Sequence, residues 1–332
     1  MKLEQIINDL KNKIYYPVYF LGGEEAFYID EISGFIEKNV LTDTEKEFNQ
    51  TVIYGRETDV PSIISYAKRY PMMANYQVVI VKEAQDVNKI EELSSYIKNP
   101  LNSTLLVINY KYKKIDKRKS FAKLIDKKGV LFESKKLYDN HVPGWITNYV
   151  QQKGYKITPK ACMILADFLG TDLGKIVNEI SKLILNIPEN SEITDELIEQ
   201  NIGISKDFNV FELQNAIGKK EIFKANQIAW YFAANPKENP FVKTIIILYG
   251  YFSKLLIYHQ LKDKSQNSVA AALSVHPFFV KDYQAAARNY NYKKLTNIIS
   301  YLHEYDLKVK GVDNVSTTEG ELLKELLYKV LH

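Results

Sequence analysis

Over the first 140 residues, short continuous apolar runs alternate with stretches in which apolar side chains recur every three or four positions. Leu3, Ile6, Ile7 and Leu10 predict a short opening helix. Pro17-Val18-Tyr19-Phe20-Leu21 predicts a first buried strand, followed by the turn Gly22-Gly23 and a helix from Glu24. A more exposed strand is expected over 48–53. Buried runs follow at Val78-Val79-Ile80-Val81, Leu105-Leu106-Val107-Ile108 and Val130-Leu131-Phe132. Before the second of these four buried runs, Pro61 sits where a first helical turn tolerates proline, and Ile63, Ile64, Ala67 and Tyr70 give that helix one apolar face. Pro71 ends it, because proline biases Tyr70 away from the helical region. Five strands with intervening helices predict an α/β fold with a parallel, doubly wound sheet.

After Tyr138 the strands stop and the pattern becomes all-α. Pro143 opens a helix through Trp145, Ile146, Tyr149 and Val150 that Gly154 ends. Thr158-Pro159 is the cap and first turn of the next, closed by Gly170. Leu173, Ile176, Val177, Ile180, Leu183 and Ile184 form the stripe of a third helix, and Thr194 caps a fourth. From Asp207 onward, helices are expected from Phe208 to Gly218 and over 222–234, 241–261, 268–273, 277–290, 293–309 and 318–331. The 241–261 helix is apolar nearly all round, which places it centrally in a bundle or an assembly. Three parts result: 1–140, 141–206 and 207–332.

The balance of 46% hydrophobic and 25% charged residues is that of a folded soluble chain. The most apolar stretch, 241–257, contains Lys243 and Lys254 and is too short and too charged for a membrane span. The start Met1-Lys2-Leu3-Glu4-Gln5 lacks the apolar core of a signal peptide, so a cytoplasmic protein is expected, with no membrane partner. The single cysteine, Cys162, excludes a disulfide framework and a thiolate metal cluster, and its apolar surroundings predict a buried, inert thiol. Within an overall charge of +4, residues 109–128 hold nine Lys or Arg against Asp116 and Asp126, a local +7 that leaves the rest near −3.

Catalytic patterns are missing. A phosphate-binding loop needs G-x-x-x-x-G-K-[ST] between strand and helix, with backbone amides cradling phosphate and lysine neutralising it. Here Gly22, Gly23, Glu24 and Glu25 occupy that place, and after this turn no lysine follows until Lys38. The two glutamates satisfy the helix dipole and repel phosphate. Histidines 141, 259, 276, 303 and 332 are scattered without an H-E-x-x-H pair, and neither a G-x-S-x-G elbow nor a G-x-G-x-x-G fingerprint occurs. No metal and no cofactor is expected.

Two stretches remain as binding candidates. Met72 and Met73 lie on a short connection before the 78–81 strand. They read either as plugs for the end of the core or as an adaptable apolar surface that moulds to a partner. The run around Lys111, Lys113, Lys114, Lys117, Arg118 and Lys119 interleaves Tyr110 and Tyr112 with positive charge. It reads either as a solvated face or as a track for a nucleic-acid backbone.

The chain resembles the bacterial DNA polymerase III delta-subunit family, the clamp-opening members of clamp loaders. The resemblance spans nearly all of the sequence. It rests on Tyr16-Pro17-Val18-Tyr19-Phe20-Leu21-Gly22-Gly23-Glu24-Glu25-Ala26-Phe27, on Pro71 to Ala84, on Phe208 to Gly218, on Leu273 to Lys281 and on Asp306 to Gly311. It implies a degenerate AAA+ module, with a five-stranded parallel sheet and a helical lid, followed by a helical collar domain that assembles a five-subunit loader. It implies a subunit that binds no nucleotide and has no activity of its own, although it would be classed with nucleotidyltransferases by complex membership. An arginine is absent from the lid's nucleotide-sensing position, where Gly174 or Lys175 stands. By position, Met72 and Met73 match the family's clamp-inserting hydrophobic pair, better known as leucine–phenylalanine, with Pro71 and Tyr76 flanking it. The implied partners are the sliding clamp (beta subunit), the gamma/tau and delta-prime subunits through the collar, and primed DNA in the assembled loader. The isolated chain is expected to be a monomer. An active AAA+ ATPase and a nucleic-acid-binding module built on residues 110–128 are the alternatives.

Overall fold

The computed structural model describes every residue except Ile115 and Lys206; the boundary expected at 206 and the isoleucine of the basic stretch fall outside it. Its contacts divide the chain into two compact units, Met1–Tyr138 with Thr171–Gly174 and Asp139–Gly170 with Lys175–His332.

In the first unit, β1 (Val18–Gly23), β2 (Gln50–Tyr54), β3 (Gln77–Lys82), β4 (Thr104–Lys111) and β5 (Val130–Ser134) form one sheet in the order β2-β3-β4-β1-β5. Every neighbouring pair is parallel. Side chains alternate across the sheet, so each apolar run feeds two cores at once. Val18, Phe20, Val79, Val81, Leu106 and Ile108 face one side, against α4 (Val60–Ala67), α5 (Ser94–Ile97) and α6 (Ser120–Lys128). Tyr19, Leu21, Val78, Ile80, Leu105 and Val107 face the other, against α1 (Leu3–Lys11) and α2 (Ala26–Asn39).

Three expected boundaries shift here. The strand placed at 48–53 begins at Gln50, because the capping box of Thr42 and Glu45 starts α3 (Asp43–Asn49) and carries helix through the exposed Phe48. The helix before Pro71 stops at Ala67, leaving Tyr70 exposed rather than on an apolar face. The helix placed from Glu24 begins at Ala26, with Glu25 as its cap.

The second unit starts with α7 (Val142–Gln152), α8 (Pro159–Leu169), all but the first two residues of α9 (Leu173–Leu185), and α10 (Asp195–Ile202). The strands do not stop at Tyr138, since β6 (Lys156–Ile157) and β7 (Glu192–Ile193) form a two-residue parallel pair. The expected caps are present: the Thr158 and Thr194 hydroxyls accept from the Ala161 and Leu197 amides. Then α11 (Val210–Lys219), α12 (Ile222–Ala234), α13 (Phe241–Gln260), α14 (Gln266–Leu273), α15 (Val280–Asn289), α16 (Tyr292–Val309) and α17 (Glu319–Leu331) share one core. α13 packs against α11 and α14 to α17, as expected of a central helix. By length and composition it would suffice to cross a membrane, contrary to the sequence expectation; Phe241, Ile245, Leu248, Phe252 and Leu255 bury one face of it in this core. Gly218 does not end α11, which runs on to Lys219 and turns at the left-handed Lys220. Instead Gly218 makes room for the Tyr251 hydroxyl, which would lie 2.2 Å from a Cβ there.

Candidate functional site

The connection between α4 and β3 is pinned at both ends and bare at its tip. At its start, the Ala67 carbonyl accepts hydrogen bonds from the Tyr96 hydroxyl (3.2 Å) and the Thr104 hydroxyl (3.0 Å). At its end, the buried Gln77 side chain donates to the Tyr66 carbonyl (3.0 Å), and Tyr76 packs edge-on against Tyr15 at 5.1 Å. Midway, Asn49 at the end of α3, only 2% exposed, takes hold of Met72. Its Oδ1 accepts from the Met72 amide at 2.6 Å and its Nδ2 donates to the Met72 carbonyl at 2.9 Å. A single carboxamide thus satisfies both polar groups of one residue, as a neighbouring strand would.

With the backbone held there, the side chains point outward. Met72 is 62% exposed and Met73 fully exposed, with Pro71 and Tyr76 half-buried beside them. Met73 adopts a left-handed backbone at φ 53°, a conformation uncommon for a residue with a β-carbon. Neither methionine plugs the core. Two adjacent thioether side chains thus stand in water on an anchored loop. Burying each fully would stabilise a complex by about 1.5–3 kcal/mol.

The turn after β1 is closed by its own hydrogen bonds. Gly22 and Gly23 are buried at the end of the strand, and Gly23 has φ 130°. The Glu24 amide donates to the Ser134 carbonyl (3.2 Å), the Glu25 amide to the Ser134 hydroxyl (3.2 Å), and that hydroxyl to the Gly22 carbonyl (3.3 Å). Glu25 is buried and its carboxylate accepts from the Phe27 amide at 3.1 Å, filling the helix start where a phosphate would sit. Burial pushes its carboxyl above the usual range, partly offset by that hydrogen bond. Glu24 is exposed and pairs with Lys114 at 3.3 Å.

The basic stretch spends part of its charge inside the same unit. Lys111, 14% exposed, sits between Asp30 (2.8 Å) and Glu83 (3.3 Å). Lys117 meets Glu133 at 2.7 Å, Arg118 meets Asp116 at 3.0 Å and Lys119 meets Glu91 at 2.7 Å. Lys113 donates to the Gln85 carbonyl at 3.2 Å. Apart from Asp116, these carboxylates come from elements far away in sequence, so composition within 109–128 overstates the free charge.

Gly174 and Lys175 lie exposed near the start of α9. Cys162 is buried, its thiol donates to the Pro143 carbonyl at 3.1 Å, and burial pushes its pKa up, away from thiolate reactivity. Among the described residues, no group of three or more His, Cys, Asp or Glu is placed to hold a metal ion. Sequence reasoning missed Asn49. The signal was the Thr42-x-x-Glu45 capping box, which brings α3 to an end beside the methionine loop.

Comparison with known proteins bears on the whole chain. Residues 19–135 match the family model for the DNA polymerase III delta subunit, and residues 207–327 match the model for that subunit's C-terminal domain. The DNA polymerase III subunit delta of Bacillus subtilis (strain 168) is 29% identical over 329 residues, covering 96% of this chain and 93% of that protein. The solved structure of the Bacillus subtilis DNA clamp loader delta protein is similar at a TM-score of 0.53 and 25% identity, covering 99% of each chain. With both ends of the chain matched in order, and a relative aligned along nearly its full length, this chain belongs to the DNA polymerase III delta-subunit family.

Proposed function

We propose that this chain is the subunit of a bacterial clamp loader that binds the sliding clamp and opens its ring. Its AAA+ module (1–140) carries the clamp contact, its lid spans 141–206, and its collar (207–332) joins the gamma/tau and delta-prime subunits around primed DNA. The observation that carries this reading is the exposure of Met72 and Met73 on a loop held by Asn49. Together the pair offers about 3–6 kcal/mol on full burial, enough for a two-residue hot spot in a modest interface. Opening the ring requires tighter binding to an open clamp than to a closed one, since equal affinity shifts nothing. A turn whose amides are bound to Ser134 and Glu25 suits a subunit that leaves ATP hydrolysis to its neighbours. The protein would act in the cytoplasm.

The test is calorimetric titration of the organism's own clamp with the wild-type chain and with the double variant Met72→Ala/Met73→Ala, both checked by circular dichroism. At 1.4 kcal/mol per tenfold, the pair predicts a loss of about a hundredfold or more. A wild-type chain that does not bind the clamp overturns the function. Equal binding by both proteins overturns the site.

A further inference from the structure

A second basic stretch, more diffuse than the first, surrounds a cavity in the helical unit. Residues 254–294 contain seven Lys or Arg and two Asp. These residues fall on α13, α15, α16 and the α13–α14 connection, so no single run of sequence looks basic. Unlike Lys111, Lys114, Lys117 and Lys119 of the first stretch, Lys262, Lys264, Lys281, Arg288 and Lys293 make no ion pair among the described residues. Of the two acids, Asp282 pairs with Lys219 at 3.8 Å, and Asp263 accepts from the Ser265 amide (2.9 Å) and hydroxyl (3.0 Å).

Between the end of α13 and the outer face of α15 lies an open cavity of about 290 Å³, lined by Tyr258, His259, Lys264, Gln284, Ala287 and Arg288. No carboxylate lines it. Two of its side chains are held in place: the Lys264 ammonium sits 4.3 Å from the centre of the Tyr258 ring, and His259 Nε2 donates to the Tyr290 carbonyl at 2.8 Å. Two unpaired cations, an imidazole and an amide facing one shallow hollow form a receptor for an oxyanion. The guanidinium fork matches two oxygens of one phosphate, while the ammonium supplies a point charge.

We infer that the α13–α15 hollow binds a backbone phosphate of nucleic acid through Lys264 and Arg288. The open shape suits a chain passing over it. The unpaired Lys262, Lys281 and Lys293 near it in sequence extend the positive field to neighbouring phosphates. This inference deepens the proposed role at primed DNA and is independent of the methionine pair.

The test is fluorescence anisotropy of the full chain with labelled single-stranded and primed oligonucleotides across a salt series. Wild type is expected to bind with a dissociation constant of roughly 10⁻⁶ to 10⁻⁴ M near physiological salt. In Lys264→Gln/Arg288→Gln, binding should weaken at every sequence, and the slope of log K against log salt should fall by about 1 to 2. Arg288→Lys should retain most of the binding. The comparison variant Lys117→Gln/Arg118→Gln should change affinity less than about twofold, because its charges already face carboxylates. Equal binding by wild type and the pocket variant overturns the inference, as does a larger loss in the comparison variant. Tighter binding of a free nucleoside triphosphate than of the oligonucleotide would make the hollow a small-anion site and also overturn it. Clamp titration of the same pocket variant should match wild type, so a failure of the clamp reading is visible separately.

Discussion

Replacing Asn49 with alanine tests whether a rigid loop, and not merely an apolar one, presents the methionines. The substitution removes two hydrogen bonds to the Met72 backbone while leaving both methionines in place. Each such bond is worth about 0.5–1.5 kcal/mol net, so the loop should lose about 1–3 kcal/mol of local stability. If clamp binding requires the loop in its present shape, that energy must be recovered on binding. Affinity then falls by roughly 5- to 150-fold at 1.4 kcal/mol per tenfold. Asn49→Asp sharpens the test. It keeps an acceptor for the Met72 amide but sets a carboxylate against the Met72 carbonyl, so its loss should be at least as large as that of alanine. The assay is titration with the clamp, paired with urea unfolding of the same proteins. An alanine variant that is less stable yet binds the clamp within twofold of wild type would show that Asn49 serves only the fold, and the argument from a held loop would fail.

Other outcomes follow from packing and charge. Gly218→Ala gains helix propensity but brings a methyl against the Tyr251 hydroxyl; it should destabilise by about 1–3 kcal/mol in urea, and Tyr251→Phe should recover part of that loss. Gly23→Ala meets the Ser134 backbone oxygen at 2.1 Å with φ at 130°, where no rotamer gives relief; a loss of at least about 2 kcal/mol is expected from the same measurement. Burial alone would raise the Glu212 pKa, but Lys224 (2.5 Å) and Lys160 (3.1 Å) outweigh it and hold the carboxyl below its usual range. With a depressed folded-state pKa, its contribution is present above the ordinary glutamate range and is lost as pH falls through the folded value. Glu212→Gln should therefore cost about 1–3 kcal/mol at pH 7 and much less in acid, read from urea midpoints at the two pH values.

The central sheet was legible because β1, β3 and β4 are buried on both faces, and double burial demands continuous apolar runs. Boundaries were harder wherever a distant group decides them. α4 stops at Ala67, whose carbonyl has no helical donor in Pro71 and is taken instead by Tyr96 and Thr104, 29 and 37 residues on, whereas local spacing favoured continuing to Tyr70. Phe48 drew the edge strand too early because an exposed phenylalanine in a helix carries the same letter as a buried one in a strand. At the candidate site, the methionine pair was visible by position, but its exposure was not, since plugs and docking residues share one composition. The basic stretch was visible too, yet its partners Asp30, Glu83, Glu91 and Glu133 meet it only in the folded chain.

Ser134 carries a consequence for the history of the fold. The amides of Glu24, Glu25 and Phe27 already donate, two of them to Ser134 and one to the Glu25 carboxylate. A lysine placed in this turn by one substitution would find those donors engaged and two carboxylates beside it. Changes at Ser134 and Glu25 together would free the Glu25 and Phe27 amides, but the Glu24 amide is bound to the Ser134 main-chain carbonyl, which no side-chain change removes. Taken singly, changes at Glu25 or Ser134 remove a hydrogen bond from a buried corner and confer no affinity for a nucleotide in return. The turn therefore resists conversion by small steps: each single change loses a buried hydrogen bond before a set of free donors exists to hold a phosphate.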